Sequence, residues 1–226
     1  MESDLWSLSC SPREVAARDL QGLSKRGLYL VRLDLTGIAG DNARLRELLV
    51  AVQTLRRTGI LVEYELDLFG ESPRFATIRD NVALVRAVVA DGTTPATFTV
   101  DPSHGQCSPW LEAYRSRVGA AVQPWLTGLS VQLTAAWTEL VVGERRPGRL
   151  CGVAAHRIAL QRLTLRSNTE LLNLVADSAR EYELTGETQL LEHELVAPRV
   201  ALLTETLVAL SNRFHPARPA PLQQAG

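Results

Sequence analysis

Between residues 28 and 100 short apolar runs alternate with longer amphipathic segments, and this alternation limits the fold more than any other feature of the chain. LYLVRLDL (28–35) has the length and apolar content of a largely buried strand. TGIAG (36–40) breaks it. Asp41-Asn42 then supplies a cap for a helix over 43–57, in which Leu45, Leu48, Leu49, Val52 and Leu55 recur at helical spacing. After Gly59, ILVEYELDL (60–68) reads as a second strand with Glu63, Glu65 and Asp67 on one face. The loop FGESPRF (69–75) leads into a helix over 76–90 whose Ile78, Val82, Val85 and Val89 form one stripe. TFTV (97–100) is a third short strand, and the chain turns at 101–105.

Strands linked by helical crossovers of this length imply right-handed βαβ units and a parallel sheet. Upstream, residues 1–12 read as irregular, and Ser11-Pro12 opens a short helix to about Ser24. From Trp110 onward the pattern is helical, over 110–118, 123–141, 156–182 with an internal break, and 188–212. HPARPAPLQQAG (215–226) is Pro-rich and short of large apolar residues, as disordered tails are. The expected fold is α/β. A partial (β/α) barrel sector with about three parallel strands fills 1–105, a mainly helical C-terminal region fills 106–214, and the tail follows.

Composition excludes several function classes. Hydrophobic residues make up 46% of the chain, enough for a substantial core. Basic and acidic residues number 24 and 25, a net charge of -1, which gives no electrostatic footprint for nucleic acid or an anionic membrane. Cys10, Cys107 and Cys151 are odd in number and far apart, so they define neither a disulfide framework nor a CxxC metal site. MESDLWSLSCSPREV lacks the basic and apolar regions of a signal peptide, and no stretch of 18 residues is uninterruptedly apolar. A soluble, cytoplasmic protein is expected.

Four blocks in order along 27–106 resemble the later part of the radical S-adenosylmethionine barrel, most of all its cobalamin-associated branch. GLYLVRLDLTG (27–37) is similar to the family's fourth-strand segment, and LRRTGILVEYELDLFGES (55–72) to the fourth helix end, fifth strand and following loop. ATIRDNVALVRAVVADGTTPATFTV (76–100) resembles the fifth helix, with its Thr and Asn near the start, and the sixth strand. DPSHGQ (101–106) resembles the turn after that strand. GRLCG (148–152) is similar to a stretch that often follows the barrel.

The resemblance implies S-adenosylmethionine contacts at Thr36 and Gly37, where the family's Glu-Ser-Gly has lost its acid, and at Gly70 and Glu71 of the retained Gly-Glu-Ser. The family's cluster motif, three Cys separated by three and then two residues, does not occur in this sequence. Hence no cofactor is expected on this chain alone. S-adenosylmethionine and a 4Fe-4S cluster become expectations only with a complementary chain that supplies the cluster half.

The residues themselves offer further candidates. Glu63, Glu65 and Asp67, with His104 in the turn after the third strand, form a candidate substrate pocket; the same acids alternatively face solvent or pair with Arg residues of a neighbouring helix. Glu71 either meets a ligand or caps the helix that follows, and Asn81 either reaches a strand end or stands exposed. Cys107 lies three residues from His104, the one suggestive nucleophile pair. His156, His193 and His215 are isolated, no metal site is expected, and no catalytic residue is identified. Trp6, Trp110, Trp125 and Trp137 read as packing anchors of the helical half. Two functions follow as expectations: a divergent or truncated radical S-adenosylmethionine protein, incompetent for radical chemistry alone and completed by a partner chain, or a non-catalytic binding or scaffold protein. In either case a protein partner or a second copy would cover open sheet edges.

Overall fold

The structure, a computed structural model, describes residues 5–100, 107–144 and 153–214. Its elements are β1 (Trp6–Cys10), α1 (Pro12–Ala16), α2 (Leu20–Lys25), β2 (Leu28–Asp34), α3 (Asn42–Arg57), β3 (Leu61–Glu65), α4 (Phe75–Val88), α5 (Pro109–Pro124), a π-helical segment (Trp125–Ser130), α6 (Val131–Glu144), α7 (Val153–Thr185) and α8 (His193–Phe214). The three strands form one parallel sheet in the order β1-β2-β3. Mixed α/β architecture followed by a helical region is therefore what the chain adopts.

The sheet differs from the sequence expectation at both ends. Trp6–Cys10, read as irregular, is a strand parallel to β2. Its residues WSLSC alternate half-buried Trp6, Leu8 and Cys10 with exposed Ser7 and Ser9, a period of two in which serine composition obscures the strand. At the other end, residues 97–100 contribute one isolated parallel bridge, Asp67 to Thr99, rather than a strand. The ladder stops there because the Thr97 N–H, which would extend it toward β3, donates to the Tyr64 hydroxyl at 3.0 Å, and the outward-facing groups are held by side chains. Asn168 accepts from the Ala96 N–H at 2.7 Å and donates to the Thr94 carbonyl at 2.9 Å, while Ser130 donates to the Ala96 carbonyl at 3.0 Å. Thus α7 and the π-helical segment seal this edge of the sheet, and among the described residues β1 has a strand neighbour on one side only.

The two sheet faces have opposite character. Val31, Leu33, Val62 and Tyr64 are buried, and each such side chain contributes very roughly 2 kcal/mol. Leu48, Val52 and Leu55 of α3 and Ile78, Val82 and Val85 of α4 are buried in the same core as these strand residues. On the opposite face Arg32 pairs in register with Glu63 and Asp34 with Glu65.

In the helical half, α7 runs unbroken for 33 residues, without the break expected within 156–182. Its buried face carries polar residues, each with a partner. Thr164 accepts from Trp137 Nε1 at 3.0 Å, Ser167 accepts from Trp125 Nε1 at 2.9 Å, and Ser178 bonds the Tyr114 hydroxyl at 3.0 Å. Trp125 and Trp137 are fully buried anchors of this half. Trp110 is 45% exposed at the edge of an aromatic group with Phe75 and Tyr182, and Trp6 belongs to the sheet instead. No helix among the described residues is long and apolar enough to cross a membrane. The expected tail at 215–226 and GRLCG (148–152) lie outside the described residues.

Candidate functional site

Two strands end in the same five-residue device. Leu-Asp-Leu-Thr-Gly (33–37) closes β2 and Leu-Asp-Leu-Phe-Gly (66–70) follows β3. In each, the Asp accepts from the N–H two residues on: Asp34 Oδ1 from Thr36 N at 2.8 Å, and Asp67 Oδ1 from Phe69 N at 3.3 Å. Each ends at a glycine in the left-handed region, Gly37 with φ 68° and Gly70 with φ 62°, where a Cβ would strain the backbone. In the sheet Asp34 pairs with Glu65, two residues before its sequence counterpart Asp67. This stagger carries the second loop farther along the strand direction than the first.

Between the two loops lies a cleft of about 360 Å³ at the C-terminal ends of the parallel strands. Thr36, Gly37, Asp67, Gly70, Glu71 and Asn81 line it, so the four residues that the sequence resemblance marks for a cofactor all meet there. Asn81, on the first turns of α4, is 4% exposed and donates through Nδ2 to the carbonyls of Asp67 at 3.2 Å and Leu68 at 3.0 Å. It reaches a strand end, one of the two positions its sequence context allowed. Thr77 donates to the Ser72 carbonyl at 3.0 Å and so ties the Gly-Glu-Ser loop to the same helix. The cap position of α4 is Arg74, which makes no side-chain capping bond, so Glu71 does not serve there.

The carboxylate row divides. Asp67 lines the cleft, whereas Glu63 accepts from Arg32 at 2.8 Å and Glu65 lies 3.8 Å from the same guanidinium. The hydrogen bond to Glu63 raises the Arg32 pKa. The partner is an Arg on the neighbouring strand, not on a helix. His104, Cys151 and the turn at 101–106 lie outside the described residues. Cys107 donates its thiol to Glu112 at 2.9 Å, and desolvation together with that bond pushes the thiol pKa up, so it is not activated as a thiolate. His156 is buried against the Phe214 ring, their centroids 4.6 Å apart.

Sequence reasoning missed the pairing of the two loops and the role of Asp67 within it. The signal was present as the repeated Leu-Asp-Leu-x-Gly, whose two copies share one turn chemistry. Among the described residues no group of three or more His, Cys, Asp and Glu is gathered to hold a metal ion. The described thiols, Cys10 and Cys107, do not amount to the three-cysteine donor set of a 4Fe-4S cluster. Asp67 Oδ2, by contrast, is buried at the cleft wall without a hydrogen-bond partner among the described residues, a feature that suits an organic ligand carrying donors. Compared with protein-family models, with curated proteins and with solved structures, the chain matches none.

Proposed function

We propose that this chain is a divergent radical S-adenosylmethionine-type barrel sector that binds S-adenosylmethionine at the cleft between the Gly37 and Gly70 loops and performs no radical chemistry by itself. The observation that carries this reading is the convergence of Thr36, Gly37, Gly70 and Glu71, drawn from separate sequence blocks, on one cleft at the strand C-termini. Ligands of parallel α/β sheets collect at that end. When bound with a cluster, S-adenosylmethionine supplies a 5'-deoxyadenosyl radical for hydrogen abstraction. The roles of this chain are narrower. Its paired turns hold two glycine loops open, Asn81 pins the Asp67 and Leu68 carbonyls, and the cleft orients the ligand.

A second polypeptide would add at β1. The opposite sheet edge is taken by Asn168 and Ser130, whereas β1 carries no charged residue to discourage a further strand. That uncharged edge also favours the second reading, a non-catalytic scaffold whose partner docks on the sheet. Native mass spectrometry of protein purified without oxygen from its own host separates the two. The radical-type reading expects bound S-adenosylmethionine on the chain, with iron only in species that contain a second polypeptide. Four irons on the chain alone contradict the division of labour, and a bare chain in every species leaves the scaffold.

A further inference from the structure

The lining of the cleft combines the hydroxyls of Thr36 and Ser72 with two carboxylates, and its charge is of one sign. Asp67 Oδ1 holds the Phe69 N–H, while Oδ2 is buried with no partner among the described residues. Asn81 is 4% exposed and commits its amide nitrogen to two main-chain carbonyls, while among the described residues its Oδ1 accepts from no donor. Glu71 adds an exposed carboxylate at the rim. Among the described residues lining the cleft there is no Arg, Lys or His. The nearby guanidinium of Arg44 is occupied, donating to the Gly37 carbonyl at 3.3 Å and pairing with Asp41 at 3.5 Å.

An anion in this cleft would face two carboxylates and leave the buried Asp67 Oδ2 unpaired, and a buried acceptor without a donor is costly. A cation that carries N–H or O–H groups relieves both conditions at once. We infer that the cleft selects a cationic, donor-bearing small molecule and rejects anionic ones, with Asp67 and Asn81 as the specificity-determining pair. This deepens the ligand-binding reading of the same cleft, because it fixes the charge of the ligand whatever its identity. The pair is coupled through the main chain: Asn81 holds the carbonyl of Asp67 itself, so the carboxylate is presented from a fixed backbone.

The test is isothermal titration calorimetry on the full chain with four probes: S-adenosylmethionine and agmatine as cations, adenosine as the neutral fragment and AMP as its anionic counterpart. S-adenosylmethionine is expected to bind and AMP to fail. Asp67→Asn keeps the acceptor for the Phe69 N–H but removes the charge, and should weaken S-adenosylmethionine by roughly tenfold to a hundredfold while narrowing its advantage over AMP. Thr36→Trp fills the mouth without touching charge and should abolish binding of every probe, which ties the signal to this cleft. AMP binding as tightly as S-adenosylmethionine, unchanged selectivity in Asp67→Asn, or no binding by any probe overturns the inference. Agmatine binding without S-adenosylmethionine preserves it and refutes the adenosyl reading instead.

Discussion

Asn168→Ala lowers the melting temperature of this protein by roughly 5–15 °C, equivalent to about 2–5 kcal/mol. The residue is 2% exposed on α7, and its amide closes two main-chain groups of the sheet edge, the Ala96 N–H and the Thr94 carbonyl. Alanine strands both in a dry interior where water does not replace the amide. Asn168→Asp isolates the donor, since it keeps the acceptor for Ala96 and loses the N–H for Thr94. Thermal unfolding should place the Asn168→Asp protein below wild type as well, because the Thr94 carbonyl is left unpaired and a charge is buried beside it. An alanine variant that melts within about 1 kcal/mol of wild type would mean that the helical half does not seal the sheet.

Trp125→Ala should be of similar or greater severity, about 3–5 kcal/mol, read by chemical denaturation. Trp125 opens the π-helical segment with 0% exposure and donates its indole N–H to Ser167. Truncation therefore leaves a large cavity and an unpaired hydroxyl together. The same segment carries Ser130, which donates to Ala96, so a collapse around the cavity should also loosen the sheet edge. Trp110, 45% exposed, provides the comparison: Trp110→Ala should cost markedly less. Equal losses at the two positions would show that Trp125 is not the anchor of this segment.

Much of the fold is legible in the sequence because its signals are local. The alternation around β2, α3, β3 and α4 follows from apolar periodicity, and Asp41 does cap α3, accepting from Ala43 and Arg44. Elements that depend on distant partners are not. Strand β1 exists because Leu8 and Cys10 pair with Val31 and Leu33, and nothing in WSLSC announces that contact. Residues 97–100 have strand composition, yet the Tyr64 hydroxyl takes the Thr97 N–H that a ladder to β3 would use, and Asn168 and Ser130, distant in sequence, hold the outward-facing groups of Ala96. Likewise α7 reads as interrupted because Thr164, Ser167, Asn168 and Ser178 are polar, when each is the buried partner of a group on another element.

The candidate site divides as well. Thr36, Gly37, Gly70 and Glu71 are singled out only through the resemblance of their sequence blocks, and all four line one cleft. That Asp67 parts company with Glu63 and Glu65 is not legible in the sequence. Alternation puts all three acids on one face, but only the register with β2 sets Arg32 beside the two glutamates and leaves Asp67 at the loop.

The central claim, that the Gly37 and Gly70 loops form the ligand site, is tested most directly by titrating S-adenosylmethionine into isotope-labelled protein and following backbone amide shifts. The perturbed amides should be those of Thr36, Gly37, Gly70, Glu71 and Asn81. Shifts centred instead on the α5 and α8 groove, around Arg117 and Val196, or the absence of any shift, would contradict it.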